Sequence, residues 1–528
     1  MVEDRTIVED ARTTSSRGPL GWCGVGLVLG GATLSVAPGV PSWAGLSAAG
    51  AGVLLVVAGL RRMRSLPARR SLVPAAAGLA CALIAGFGVR ALTLSLAVEH
   101  TLAESVPETA PPIPAEVTAT AWTRTLPGDD TLVRVVPGTL GPIVVLDDGV
   151  VALDGITGDE LWRYRLRGAD ARATVYGGGT RIHIAHGDPD DPDRTGASTW
   201  VELDTARGGT VETFTVPPPP AGTTTTVLTV ASGVLVHSRT EEDDTPRIVA
   251  HDTATLREAW SFTVPEEPGR VCAPWQGWNA DNTLRTTDLF LVAYACVPEG
   301  RARDTDPARI ADTPGAHLTG VVTALDRRDG RVRWTRELPG LEEFPALRAG
   351  GPVIDADTRP VIVVGPLMGE DAPVILDPRD GSHAVRITAE PWTDGRSVLV
   401  RADTGGAVVT ETAADRLLFH RVSPEGGIVV TAALDAADLP EYGPASAVAL
   451  SDAVVVPLSA PDADREVPAV WSVPFDGDPR FSVLDPVGEA GPLPLGSGAD
   501  HHRAVAVPGA LVTVARGAEA VRLHGLLP

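Results

Sequence analysis

The chain has 528 residues with a formal net charge of −23, and all 44 of its basic residues are Arg. A chain with no Lys cannot use a Schiff-base amine or a phosphate-loop Lys, and an acidic balance is the wrong sign for nucleic acid. The length exceeds one ordinary core unless the fold is a large closed one.

Charge is unevenly placed. Nine Arg and five acids fall in residues 1–100, leaving 35 Arg and 62 acids beyond them, a net of −27. After a short tail, 1–18, three apolar stretches follow at 19–37, 43–60 and 71–89, the last extending to Val98 past Arg90. Each approaches the roughly 20 residues needed to cross a bilayer, and their Gly and Ala content suits close helix packing. Two further apolar stretches so soon after the first favour a three-helix anchor, 19–98, over a cleaved signal peptide. The loop 61–70 carries five Arg. Positive loops stay in the cytoplasm, so the N-terminus is expected inside and everything beyond residue 98 outside, in a multi-pass protein of the cell membrane. Arg90, toward the outer end of the third helix, can snorkel to the interface. The stretch 99–116 is Pro-rich and acidic and reads as an extended spacer.

From residue 117 a unit recurs. In VVALDGITGDELW, Asp154 is followed by Gly158 and Trp162. Asp204 is followed by Gly208 and Glu212, Asp252 by Leu256 and Trp260, Asp326 by Gly330 and Trp334, and Asp377 by Gly381 and Val385. The five Asp positions are spaced 50, 48, 74 and 51 residues apart, a period that calls for a propeller or solenoid. The physics of the unit fits a propeller blade. An apolar strand precedes Asp, Asp starts a turn, and Gly supplies positive φ. A strand with Trp162 and Tyr164 on one face then reads as half-buried. The stretch 121–128, with Trp122, matches only the last part of the unit, while 509–528 has inner strands and no Trp-led strand. The N-terminal strand is therefore expected to complete the C-terminal blade and remove the free sheet edges. Five blades are explicit; 417–434, 469–484 and 503–526 with 117–126 make eight, or seven if one weak unit is a loop.

These residues resemble the quinoprotein-type (PQQ-like repeat) β-propeller, whose blades carry A-L-D-x-x-T-G-x-x-x-W. The resemblance covers about 117–528 and implies an all-β propeller; it says little of function, because that fold hosts both enzymes and scaffolds. The 74-residue interval reads as holding an insertion, 266–315, with Cys272 and Cys296. Outside the cell these two are expected to pair, closing a loop of about 25 residues worth roughly 3 kcal/mol.

The resemblance includes dehydrogenases that hold pyrroloquinoline quinone and Ca²⁺, but this chain has no adjacent Cys pair, and its recurring Asp residues are accounted for as turn formers. The acidic stretches 186–196 and 240–246 read as solvated loops rather than Ca²⁺ sites. His183 and His186, three apart on a strand, should face opposite ways, and 500–502 (Asp-His-His) reads as a loop. No catalytic, cofactor or metal residue is assigned. The reading is a membrane-anchored extracytoplasmic binding or scaffold module with no cofactor, for an unidentified protein, peptide or polysaccharide. The alternatives are a PQQ/Ca-dependent dehydrogenase and a sensor coupling external binding to a membrane partner.

Overall fold

The computed structural model describes residues 98–528, less 127–130, 167–169, 177, 188–197, 217–224, 232, 241–245, 276, 287, 300–317, 342–343, 352–358, 367–371, 388–396, 436–446, 463–464, 485–501 and 517–520. The apolar stretches of 19–98 and the Arg loop therefore lie outside the described residues, apart from Val98; so do 188–196 of the first acidic stretch, and Asp500 and His501. Among the described residues no helix is long and apolar enough to cross a membrane. The chain divides into two bodies. Only the second, His100–Tyr164 with Asp170–Pro528, is considered below.

Eight antiparallel sheets follow one another along this body. Blades 1 to 7 occupy 132–166, 170–216, 225–263, 270–341, 345–385, 397–435 and 448–483. Blade 8 consists of His502–Val507, Ala510–Arg516 and Val521–Leu527, and its fourth strand is Ala119–Thr125 from the start of the domain. The eight-bladed count and the strand exchange that seals the ring thus both follow from the hydrogen-bonding order. Trp122 of the sealing strand sits opposite Gly525, where any Cβ would strike the indole.

Neighbouring sheets stack through apolar side chains. Val144, Leu146 and Leu153 of blade 1 cluster with Val507, Val512 and Leu523 of blade 8. Phe290, Val292 and Val321 of blade 4 cluster with Val236, Ile248 and Ala250 of blade 3. The middle strands are buried on both faces, which is why Pro142–Leu146 and Gly149–Leu153 read as unbroken apolar runs. First strands touch one another between blades: Leu132–Pro137 meets His502–Val507, Val448–Ala449 meets both His502–Val507 and Ser397–Asp403. The first strand of each blade is therefore the one nearest the axis.

Two sequence expectations change. The interval 266–315 is not simply an insertion. Arg270–Ala273 and Thr283–Arg285 both pair with Leu289–Pro298, so they form an interrupted first strand of blade 4 beside its second strand. The extra length lies in 274–282, which interrupts that strand, and in the connection after Pro298. A period measured from Asp to Asp cannot see this, because it marks only the third strand of each blade. The Pro-rich stretch also does not stand clear of the blades. The Ala103 N–H donates to the Arg207 carbonyl of blade 2, the Gly509 N–H of blade 8 to Pro112, and the Asp452 N–H of blade 7 to Ala115, with Pro114 and Val117 buried. Proline removes donors but leaves carbonyls, and two of these three bonds use the stretch's carbonyls.

Candidate functional site

The recurring Asp residues act as turn acceptors. Asp154 Oδ1 accepts from the N–H groups of Ile156 and Thr157 at 2.8 and 2.9 Å. Asp204 Oδ1 does the same for Ala206 and Arg207, Asp252 for Thr255, Asp326 for Arg328 and Asp377 for Arg379. Their carboxylates are held below the ordinary range at Asp326, by Arg333 and a backbone bond, and at Asp377, mainly by Arg379. Among the described residues no three His, Cys, Asp or Glu side chains converge as a metal-binding group.

The Trp residues reach the next blade. Each indole N–H donates to the carbonyl one residue past the next blade's Asp: Trp122 to Gly155, Trp162 to Thr205, Trp260 to Arg327 and Trp334 to Pro378, all at 2.9 Å. The ring lies on the turn's Gly. A Cβ on Gly158, Gly208, Gly330 or Gly381 would come within 2.6 to 2.7 Å of that Trp, and all four have φ between 68° and 74°. The turn thus requires Gly twice, for its backbone and for the indole above it.

The Trp is missing from the last strands of blades 2, 5, 6 and 7, and at the seam between blades 2 and 3 the turn keeps its Asp but loses its Gly as well. Blade 2 has Glu212 in the Trp position, and blade 3 has Leu256 in the Gly position, at φ 55°. Glu212 Oε1 accepts from the Thr253 hydroxyl at 2.7 Å and Oε2 from the Gly233 N–H at 3.1 Å. Thr253 is the residue whose carbonyl a Trp would otherwise engage. With no indole above the turn, a side chain fits at 256. Both departures are visible in the sequence, but what connects them is contact between blades, which spacing along the chain does not reveal.

The rest of this seam is also polar. His183 Nε2 lies 3.1 Å from Glu202 Oε2 and 3.0 Å from the Tyr176 hydroxyl. Both His183 and Glu202 are buried, and Arg181 Nε stands 3.7 Å from Glu202. The Arg285 guanidinium, from the first strand of blade 4, sits 3.3 Å from the Tyr176 ring centroid. This is close enough for a cation–π contact. Burial pulls the Arg285 pKa down to about 10. Burial, then hydrogen bonding to Glu202, pushes the Tyr176 phenol up. Burial pulls His183 down despite Glu202. On blade 3, His237 and His251 stack with centroids 4.9 Å apart, and His237 is depressed to about 4, first by burial and then by His251. The seam's apolar content is small: Phe214 and Leu235, with Trp200 and Val216 against them. No periodic signal in the sequence marks Tyr176, Glu202 or Arg285.

His186 points the other way from His183, packing 5.5 Å from the Tyr164 ring of blade 1. Burial takes its pKa down to about 4. The two histidines therefore have separate partners. Cys272 and Cys296 are cross-strand partners in blade 4 and form a disulfide.

No protein-family model and no curated protein matches the chain. Solved structures do. The WD40 domain of SCAP from fission yeast is 10% identical with TM-score 0.40, covering 76% of this chain and 98% of that one. A europium-containing methanol dehydrogenase is 11% identical with TM-score 0.33, covering 75% and 84%. The β-propeller domain of the trilobed protease from Pyrococcus furiosus is 10% identical with TM-score 0.30, covering 68% and 99%. All are distant. The chain belongs to the β-propellers by its own sheet order, and these likenesses carry no argument about its function.

Proposed function

We propose that this chain is a membrane-anchored, extracytoplasmic eight-bladed propeller that works as a non-catalytic binding module. The carrying observation is where the repeat breaks. The recurring carboxylates serve their own turns, while ionisable and aromatic side chains gather at the seam between blades 2 and 3, where the Trp contact made at four seams gives way to Glu212 bonding Thr253 and Gly233. Local rules are most often broken where function requires it. Three apolar stretches with an Arg-rich loop between the second and third support the anchor and its orientation. The Cys272–Cys296 disulfide supports an oxidising compartment. The partner is a protein, peptide or polysaccharide outside the membrane.

The test is crosslinking of the full-length protein in native membranes with identification of the captured neighbours. A reproducible set of neighbours, depleted by Glu212→Ala and Trp200→Ala, supports the reading; capture that both variants leave unchanged removes the seam from it. Stoichiometric Ca²⁺ with an absorbing quinone in the purified protein replaces the reading with a quinoprotein dehydrogenase. Crosslinks concentrated in 19–98 favour a sensor.

A further inference from the structure

The outer strand of blade 4 turns one charge toward blade 5 among apolar groups. Half-buried Trp334 and Arg336 and buried Leu338 alternate with exposed Thr335 and Glu337, so the first three share a face. Trp334 and Leu338 belong to the apolar cluster that joins blades 4 and 5, and Arg336 stands between them. Its Nε is shielded from solvent and has no hydrogen-bond partner. Leaving a donor of a charged group buried and unbonded is costly.

Blade 5 meets this arginine with a second basic group. Trp334 lies over Gly381 and bonds to the Pro378 carbonyl, which sets the two outer strands side by side. Arg336 and His383 each follow two residues after that contact. His383 pairs across its own sheet with Leu376, a member of the cluster between blades 4 and 5. Cross-strand partners share a face, so the imidazole is on the side of blade 5 that meets blade 4. Burial, then the charges of Arg336 and Arg386, pull the His383 pKa down. His383 and Arg386 are both exposed.

The other arginines of these turns are matched: Arg331 with Asp329, Arg333 with Asp326 and Arg379 with Asp377. Among the described residues no acid pairs with Arg336, His383 or Arg386. In a chain of net charge −23, three basic groups gathered without an acid oppose folding until an anion joins them. Guanidinium groups offer paired N–H donors to phosphate or carboxylate, and an imidazole adds another.

We propose that the outer end of the seam between blades 4 and 5 binds one oxyanion, a phosphate or carboxylate group, through Arg336, His383 and Arg386. This site is at a different seam from the one in the proposed function and stands without it.

The experiment follows the Tm of the purified full-length chain in detergent against inorganic phosphate and, separately, acetate, each compared with NaCl at equal ionic strength. The two arms separate phosphate from carboxylate recognition. A ligand of the native state stabilises it, so phosphate, acetate or both are expected to raise Tm. Arg336→Met keeps a long side chain between Trp334 and Leu338 and removes the charge. It is expected to raise Tm in NaCl alone, and to weaken the anion effect about tenfold in concentration, the loss of a charged hydrogen bond. Arg386→Gln should weaken the anion effect too, while Arg331→Gln, at a highly exposed arginine of the blade 4 turn, should leave it unchanged. Phosphate also stabilises proteins by exclusion from their surface, and that effect would persist in Arg336→Met. The proposal is overturned if neither anion exceeds NaCl, if Arg336→Met keeps the full response, or if Arg336→Met lowers Tm in NaCl, which would make the arginine a structural part of the seam. None of these results touches the crosslinks that depend on Glu212 and Trp200.

Discussion

Blade 3 meets its two neighbours by different chemistry. Toward blade 4, Trp260 lies over Gly330 and bonds to Arg327, within a cluster that includes Val236, Ile248, Phe290 and Val321. Toward blade 2, a carboxylate bonds a hydroxyl and a backbone amide, beside a stacked histidine pair and a Tyr–His–Glu group. Apolar contact is non-directional and tolerates small shifts, whereas charged hydrogen bonds in a dry seam depend on geometry and protonation. One blade therefore shows a seam built for cohesion and a seam whose state depends on its surroundings.

The largest effect should come from breaking the cohesive side. Trp260→Ala removes a buried indole and its hydrogen bond, and truncating a buried Trp costs about 3–5 kcal/mol. Glu212→Ala, on the polar side, removes one partner of two hydrogen bonds, for about 1–3 kcal/mol. Urea unfolding of both variants ranks the seams directly. Equal losses would mean that the carboxylate matches the indole as an anchor.

Next in size is the disulfide, which ties the interrupted first strand of blade 4 to its second. Cys272→Ser with Cys296→Ser is expected to cost about 3 kcal/mol. The loss should appear as earlier hydrogen exchange in blade 4, on the cohesive side, with the polar seam unaffected.

The polar seam should also respond to acid. His237 has a native pKa of about 4, well below its ordinary value. As pH falls below about 6.5 the unfolded chain takes up the proton first, so this contribution to stability declines down to about pH 4 and then levels off. His186, also at about 4, adds the same sign at a different seam. His237→Leu should flatten part of the acid-side fall in Tm, and His186→Leu another part. An unchanged profile in His237→Leu would mean that its ring takes up a proton in the fold as readily as in the unfolded chain.

Much of this fold is legible in the sequence because blades 1 to 5 repeat one local solution. Asp starts the turn in all five, Gly allows it in four, and a Trp stands eight residues on in blades 1, 3 and 4. The sealing strand was legible too, since Trp122 sits in an outer-strand motif with no blade before it. The position of blade 4's first strand was not, because 270–273 and 283–285 join only through a common partner, Leu289–Pro298. The polar seam was hidden for the same reason. Tyr176, His183 and Glu202 are seven and nineteen residues apart in the chain, and Arg285 comes from two blades away. What brings them together is the ring, and no local pattern encodes which side chains a ring makes neighbours.

The smallest effect is also the one that isolates the logic of the docking rule. Gly330→Ala and Leu256→Gly are opposite changes at the same turn position on blades 4 and 3. At Gly330 the backbone is left-handed and the new Cβ would press on the Trp260 ring from 2.7 Å, so the variant should lose stability. At 256 the backbone is also left-handed, at φ 55°, but a side chain already occupies it and is exposed. A non-glycine residue in that region costs roughly 1–2 kcal/mol. Leu256→Gly relieves that strain but loosens the unfolded chain, so the net gain should be under about 1 kcal/mol. A loss at Gly330→Ala well beyond the roughly 1–2 kcal/mol of left-handed strain would establish that the indole, and not the turn alone, demands glycine. If Leu256→Gly destabilises as much as Gly330→Ala, the leucine is packed against the seam, and the missing Trp is not the reason it is tolerated there.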